Sequence, residues 1–347
     1  MRAFSYARAR SIDDLLAAGR DGRDGGDNRD GEVTFLAGGT ELLNWARIGI
    51  LRPERVLDIR GVPGLDGIEP LADGGLRIGA LAKLNQVALH REVRSRYPVL
   101  SQAILKSASA QLRNLATIGG NPLQRTRCPY FRSEDTATPC NKRRPGSGCA
   151  ALHGLNERHA IFGWTEDCVA TNPSDPAVAL ACLDATIVTE HASGGRRLPV
   201  RTFHTLPGDS DDPAAHTVLR PGELITAIEV GAPAPGSAYL KIRERESYEF
   251  ALVSAAAVVE LSGDRIVRAR VALGGVALRP WRLEQAERDL VGLRAGSPEA
   301  AAAVTGAFGA ARPLASNAYK IPLARNTALR ALELAATAAA RTSARTT

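Results

Sequence analysis

VTFLAGGTELLNWARIG, residues 33–49, is the stretch on which the fold class turns. Its first four residues predict a strand, Gly38-Gly39 a tight turn, and the run from Leu42 a helix. Arg55–Ile59 predicts a second strand, which makes a small βαβ-like unit. In the turn Ala37-Gly38-Gly39-Thr40, two glycines let backbone amides approach a ligand closely. A helix N-terminus behind them favours an anion such as a pyrophosphate. The turn is not GxGxxG, so a Rossmann fold is not indicated, and a plain strand–helix turn also accounts for it. A second glycine turn, Thr117-Ile118-Gly119-Gly120-Asn121, follows another helical stretch. Together the two turns could clasp one extended diphosphate from both sides.

Outward from that unit, Ser11 and Asp14 form a capping pattern that predicts a short helix from about Ile12. Residues 19–32 are almost wholly Gly, Asp and Arg and predict a solvated loop. Beyond the unit, GLRIGA (75–80) predicts a strand, 85–91 a helix, and Pro98 to about Asn114 one longer helix opened by its proline. Residues 122–170 show little periodicity and predict a loop-like segment. A helix at Pro176–Leu183, capped by Ser174 or Asp175, and strands at 185–190 and 223–230 follow. GAPAPGS (231–237) reads as a linker. After it come strands Ala251–Leu261 and Arg265–Val276, then two or three Ala-rich helices to about Ala340 and a frayed tail, RTSARTT. The chain divides into an α+β region at 1–230, with subdomains at about 1–60 and 61–230, and a smaller one at 237–340.

The 347 residues are 44% hydrophobic and 23% charged, an ordinary globular composition with room for about two domains. No apolar run reaches the length of a membrane span, and the N-terminus MRAFSYARARSIDDLL lacks the apolar core of a signal peptide. No export signal is expected in this chain, and synthesis is expected in the cytoplasm. The net charge of +7 is almost all arginine, since lysine occurs only at 83, 106, 142, 241 and 320. That arginine is spread along the chain rather than gathered in a stripe, which argues against nucleic-acid binding.

Cys128, Cys140, Cys149 and Cys168 fall in or beside the loop-like segment, with no C-x-x-C spacing. They could supply the four thiolates of a [4Fe–4S] cluster, or be reduced bystander thiols. Arg125, Arg127, Arg132, Lys142, Arg143 and Arg144 would offset the negative charge of a cluster. Cys182 lies in the apolar run AVALACLDA and reads as core. The histidines are scattered, and no G-x-S-x-G or other hydrolase pattern appears, so no catalytic acid–base residue is assigned. The chain reads as a holder of redox cofactors.

FLAGGTELLN, RIGALAKL, SASAQLRNLATIGGN, NPSDPAVAL, LRPGELITAIEV and KIRERESYEFALVSAA occur in that order. The series resembles the flavin-binding middle subunit of molybdenum hydroxylases, the family of xanthine dehydrogenase and carbon monoxide dehydrogenase. QRTRCPYFRSEDTATPCNKRRPGSGCAAL resembles the segment that gives the FAD subunit of the periplasmic aldehyde oxidoreductases its own [4Fe–4S] cluster. The resemblance implies a two-subdomain FAD-binding fold of the vanillyl-alcohol-oxidase or cell-wall-reductase type, then a C-terminal flavoprotein domain. It implies that Phe35, Leu36, Ala37, Gly38, Gly39, Thr40, Glu41 and Leu42 wrap the FAD diphosphate, met by Ala116, Thr117, Gly120, Asn121 and Leu123. Asp175 would bind a polar part of the dinucleotide, and Ile225 would line its slot. Lys241 would sit near the flavin end, and Tyr248 and Phe250 would flank the ring. Cys128, Cys140 and Cys149 of the matching segment would hold the cluster, and Cys168, which stands just before regular structure resumes at Asn172–Asp175, closes the set.

The same resemblance implies a large molybdenum-cofactor subunit and a small [2Fe–2S] subunit as partners. This chain would then pass electrons from the [2Fe–2S] clusters through FAD to an external acceptor during aldehyde oxidation. Export would ride on a partner's twin-arginine signal. Pro122 departs from the family pattern, as does the 19–32 loop. A stand-alone FAD-dependent oxidoreductase of the same fold is the alternative.

Overall fold

The computed structural model describes residues 2–20 and 33–346, so most of the expected 19–32 loop lies outside the described residues. The first layer comprises β1 (Ser5–Arg8), α1 (Ile12–Arg20), β2 (Val33–Leu36), α2 (Leu42–Arg47) and β3 (Arg55–Asp58). Its sheet is parallel in the order β1-β3-β2, with the expected strand–turn–helix at its edge and a strand, β1, that the sequence pattern did not signal. Asp58, fully buried at the end of β3, accepts from Arg60 at 2.9 and 2.7 Å and from the Tyr6 hydroxyl at 2.6 Å. The Arg60 bonds, aided by Tyr6, hold its carboxyl far below the ordinary range.

The second layer runs through β4 (Ile68–Pro70), β5 (Leu76–Gly79), α3 (Leu84–Leu89), α4 (Arg91–Arg96), α5 (Pro98–Lys106) and α6 (Ala110–Arg113). It resumes with α7 (Asp175–Cys182), β6 (Thr186–Glu190), β7 (Arg197–Pro199), α8 (Val200–Phe203) and β8 (Leu224–Val230). The five strands form an antiparallel sheet, β4-β5-β8-β6-β7. Leu84, Leu100, Ile104, Leu180, Ile187 and Ile228 are fully buried in the core that joins sheet and helices. The single helix expected from Pro98 to Asn114 is two. Helix α5 stops at Lys106, Ala108 takes φ 47°, and α6 restarts with Ser109 accepting from the Leu112 amide. The Ser107 and Ser109 hydroxyls hydrogen-bond locally to backbone, the usual way serine interrupts a helix.

The third layer contains β9 (Ser237–Ile242), β10 (Val253–Ser262), β11 (Arg265–Gly274), β12 (Trp281–Arg282), α9 (Glu284–Asp289), α10 (Pro298–Gly306) and α11 (Lys320–Thr346). The sheet is antiparallel, β12-β11-β10-β9. Strand β9 starts inside the expected 231–237 linker, because Ser237 pairs in register with Val258. Helix α11 packs on β9 and β10 through fully buried Ala324, Ala328, Ala331 and Ala335. It continues to Thr346, where a frayed tail was expected.

Between α6 and α7 the chain is irregular apart from short 3-10 turns at Asn121–Leu123 and Ala150–Leu152. It is held by buried polar groups. The Lys320 ammonium donates to the carbonyls of Arg158 (3.2 Å), His159 (2.9 Å) and Gly275, and Asn156 spans the Ala151 carbonyl and the Ser316 amide.

Candidate functional site

A cleft of about 660 Å³ opens where the three layers meet. That is the size of a cofactor site. Of the candidates for FAD binding, all line it except Leu36, whose carbonyl instead accepts from the Ile59 amide. The first glycine turn packs on the residues just before the second, and the second packs on the residue that follows β5. A Cβ on Gly38 would lie 2.2 Å from the Leu115 carbonyl oxygen, and one on Gly119 would lie 2.5 Å from the Ala80 Cβ. Gly39 has φ +72°, the left-handed region that favours glycine. Helix α2 behind the first turn has only six residues, so its dipole adds little to the exposed amides of the turn.

Several candidate side chains bond each other. The Asn121 side-chain oxygen Oδ1 accepts from the Ser174 hydroxyl at 2.5 Å, and that hydroxyl caps α7 by accepting from the Ala177 amide at 3.0 Å. Asp175 accepts from Lys241 at 2.7 Å and from the Tyr239 hydroxyl at 2.6 Å, and Lys241 also donates to the Lys106 carbonyl at 3.1 Å. The Asp175 and Lys241 side chains are only 4% and 1% exposed. Burial pushes the Asp175 carboxyl up, while Lys241 and Tyr239 pull it back. Tyr248 is half-exposed at φ 53°, with the Arg245 guanidinium 5.6 Å from its ring centre.

Sequence reading placed the arginines of QRTRC around the cysteines, and the structure turns them the other way. Arg125, Arg127 and Arg132 line the cleft. Arg127 pairs with Glu41 of the first glycine turn and lies 4.6 Å over the Phe250 ring, and Arg125 lies 4.6 Å over the Trp45 ring. Glu41 Oε2, Trp45 Nε1, Arg127 Nε and Arg132 Nη1, all on cleft-lining residues, are buried without a hydrogen-bond partner among the described residues. Orphaned polar groups around an open cleft fit a polar, extended ligand.

Cys128, Cys140, Cys149 and Cys168 line a second, small cavity of about 10 Å³, room for roughly one water. Cys140 and Cys149 face each other in an isolated antiparallel bridge, and Cys168 bridges to Thr165. Burial raises the Cys128 and Cys168 thiols to about 12 and raises Cys140 as well. The sequence did not signal His159, whose Nε2 lies 3.3 Å from the Cys128 sulfur. Among the described residues, no three His, Cys, Asp or Glu side chains converge closely enough to hold a single metal ion. The donors around the cavity are nevertheless four thiols, the set a multi-iron cluster takes. Cys182 lies apart, fully buried in α7, with its thiol 3.4 Å from the Arg270 carbonyl.

Two family models match the chain end to end: the FAD binding domain in molybdopterin dehydrogenase over residues 2–233, and the CO dehydrogenase flavoprotein C-terminal domain over residues 238–335. The aldehyde oxidoreductase FAD-binding subunit PaoB of Escherichia coli is 45% identical over 94% of this chain and 96% of its own length. The carbon monoxide dehydrogenase medium chain of Afipia carboxidovorans is 26% identical over 85% of this chain and 82% of its own. The solved carbon monoxide dehydrogenase of Hydrogenophaga pseudoflava superposes with a TM-score of 0.72 at 25% identity, covering 97% of this chain and 98% of that one. The chain belongs to the FAD-binding medium subunits of the molybdenum hydroxylases. Its homologues are subunits of oxidoreductases, and its fold is the α+β FAD-binding domain followed by the flavoprotein C-terminal domain.

Proposed function

We propose that this chain is the electron-transfer subunit of a heterotrimeric molybdenum-dependent aldehyde oxidoreductase, taking electrons from [2Fe–2S] clusters and delivering them through FAD to an external acceptor. The observation that carries the reading is the convergence of both glycine turns, Ile225, Lys241, Tyr248 and Phe250 on one cleft. Similarity to PaoB over nearly the whole chain supports aldehydes as the substrate class. A large molybdenum-cofactor subunit and a small [2Fe–2S] subunit are the partners in this reading, with no nucleic acid and no membrane insertion. The assembly, made in the cytoplasm, could reach the periplasm by co-export on a partner's twin-arginine signal.

When bound, FAD supplies the redox chemistry. The chain's part is to bind and orient it. The amides of Gly38–Thr40 would hold the diphosphate, where no side chain intervenes, and the second turn, whose Ile118–Asn121 amides already donate within the chain, would form the facing wall. The buried Lys241–Asp175 pair forms a polar cleft wall with its charges balanced, beside Ile225. Tyr248 and Phe250 would flank the ring and shield it from water. Cys128, Cys140, Cys149 and Cys168 would hold a [4Fe–4S] cluster, a reading supported by the four thiols lining one cavity.

The test is to purify the assembly through this chain and measure flavin, iron, sulfide and molybdenum together with the visible spectrum. One FAD per chain, with molybdenum and two co-purifying subunits, is expected. An isolated chain that oxidises an organic substrate at full rate overturns the subunit reading in favour of a stand-alone flavoenzyme.

A further inference from the structure

We propose that Arg127 is a positioning residue through which the cysteine segment sets the affinity of the cleft for FAD, an inference that rests on the FAD reading of that cleft. Arg127 immediately precedes Cys128, yet its side chain reaches out of the cysteine segment. It pairs there with Glu41, at the end of the first glycine turn, and covers the face of Phe250 from the C-terminal layer at 4.6 Å. One side chain thus touches three walls of the cleft: the glycine turn, the cysteine segment and the 243–250 loop.

The electrostatics give that contact a direction. A glycine turn that takes a diphosphate must present positive potential, and the Glu41 carboxylate at its end opposes this. Its Oε2 is buried with no hydrogen-bond partner among the described residues, and its other oxygen pairs with Arg127. Arg127 Nε is likewise buried and unpartnered, which leaves the fork one donor to spare. Any disturbance of the cysteine segment that withdraws Arg127 leaves the ligand facing a partly buried carboxylate without its paired cation. Removing one member of such a pair costs more than removing both.

That asymmetry makes the proposal testable by rebinding of FAD to the deflavinated complex, followed by quenching of flavin fluorescence. Arg127→Ala should weaken binding by about tenfold or more, and Arg127→Lys, which keeps the charge and loses the fork, by less. Adding Glu41→Gln to Arg127→Ala should recover much of the loss. A purely structural role for Arg127 predicts no such recovery, and a double variant as weak as Arg127→Ala or weaker overturns the compensation. Disturbing the segment by Cys140→Ser should weaken FAD about fivefold in the native background and little in the Arg127→Ala background. Equal effects in both backgrounds overturn the coupling. If the native complex binds no FAD at all, the reading of the cleft fails instead, which is a different result from either.

Discussion

Single atoms decide the floor of the cleft. A Cβ at Gly38 would sit 2.2 Å from a backbone oxygen that cannot swing aside. Gly38→Ala should therefore separate the two turns, lower Tm by the equivalent of about 1–3 kcal/mol and sharply reduce FAD content, both measurable on the purified variant. Gly39→Val is also unfavourable, through its φ of +72° rather than through a backbone clash. The buried Lys241–Asp175 pair gives a second prediction. Asp175→Ala should cost about 3–5 kcal/mol in a urea melt, because it strands an ammonium that is 1% exposed. The double change Asp175→Leu with Lys241→Met should recover most of that stability. At this scale the sequence was legible where glycine chemistry speaks for itself. It could not show that Asp175, Tyr239 and Lys241 bond each other, since 66 residues separate the ends of that network.

At the scale of elements, the irregular segment between α6 and α7 carries four of the five cysteines. Replacing each cysteine by serine and measuring iron per flavin tests its chemistry. Loss of about four irons is expected for Cys128, Cys140, Cys149 and Cys168, and none for Cys182, whose thiol is buried in α7. Normal iron in Cys168→Ser would show that another residue completes the set, and His159 would be the first to examine. The segment also carries an acid sensitivity. Next to it, His204 donates through Nε2 to the Pro122 carbonyl at 2.8 Å, and burial lowers its pKa to about 4. Burial also holds His216 well below its ordinary value. Both stay neutral in the folded chain while the unfolded chain takes up protons near pH 6.5. Their contribution is therefore present above pH 6.5 and lost as pH falls towards 4, by up to about 3 kcal/mol for His204. Urea midpoints at pH 7.5 and 5 should differ accordingly, and His204→Gln should narrow the gap.

Elements with strong periodicity were readable from sequence, among them β2, α2, α7, β10 and β11. Others were hidden for identifiable reasons. The four exposed residues of β1 show no apolar alternation. Strand β9 follows directly on Pro and Gly. The α5–α6 break depends on two serine hydroxyls rather than on any breaker residue.

On the scale of the whole molecule, the cleft has no single domain as its owner. Its walls come from β2 and the turn after it, from the second glycine turn, from the cysteine segment, from β8, and from β9 with the loop that follows. Strand β9 in turn is held by β10 on one side and by α11 across its face, so the far wall depends on residues close to the C-terminus. A premature stop within the C-terminal layer should therefore leave a product that cannot take up the coenzyme even though every residue of both glycine turns has been made.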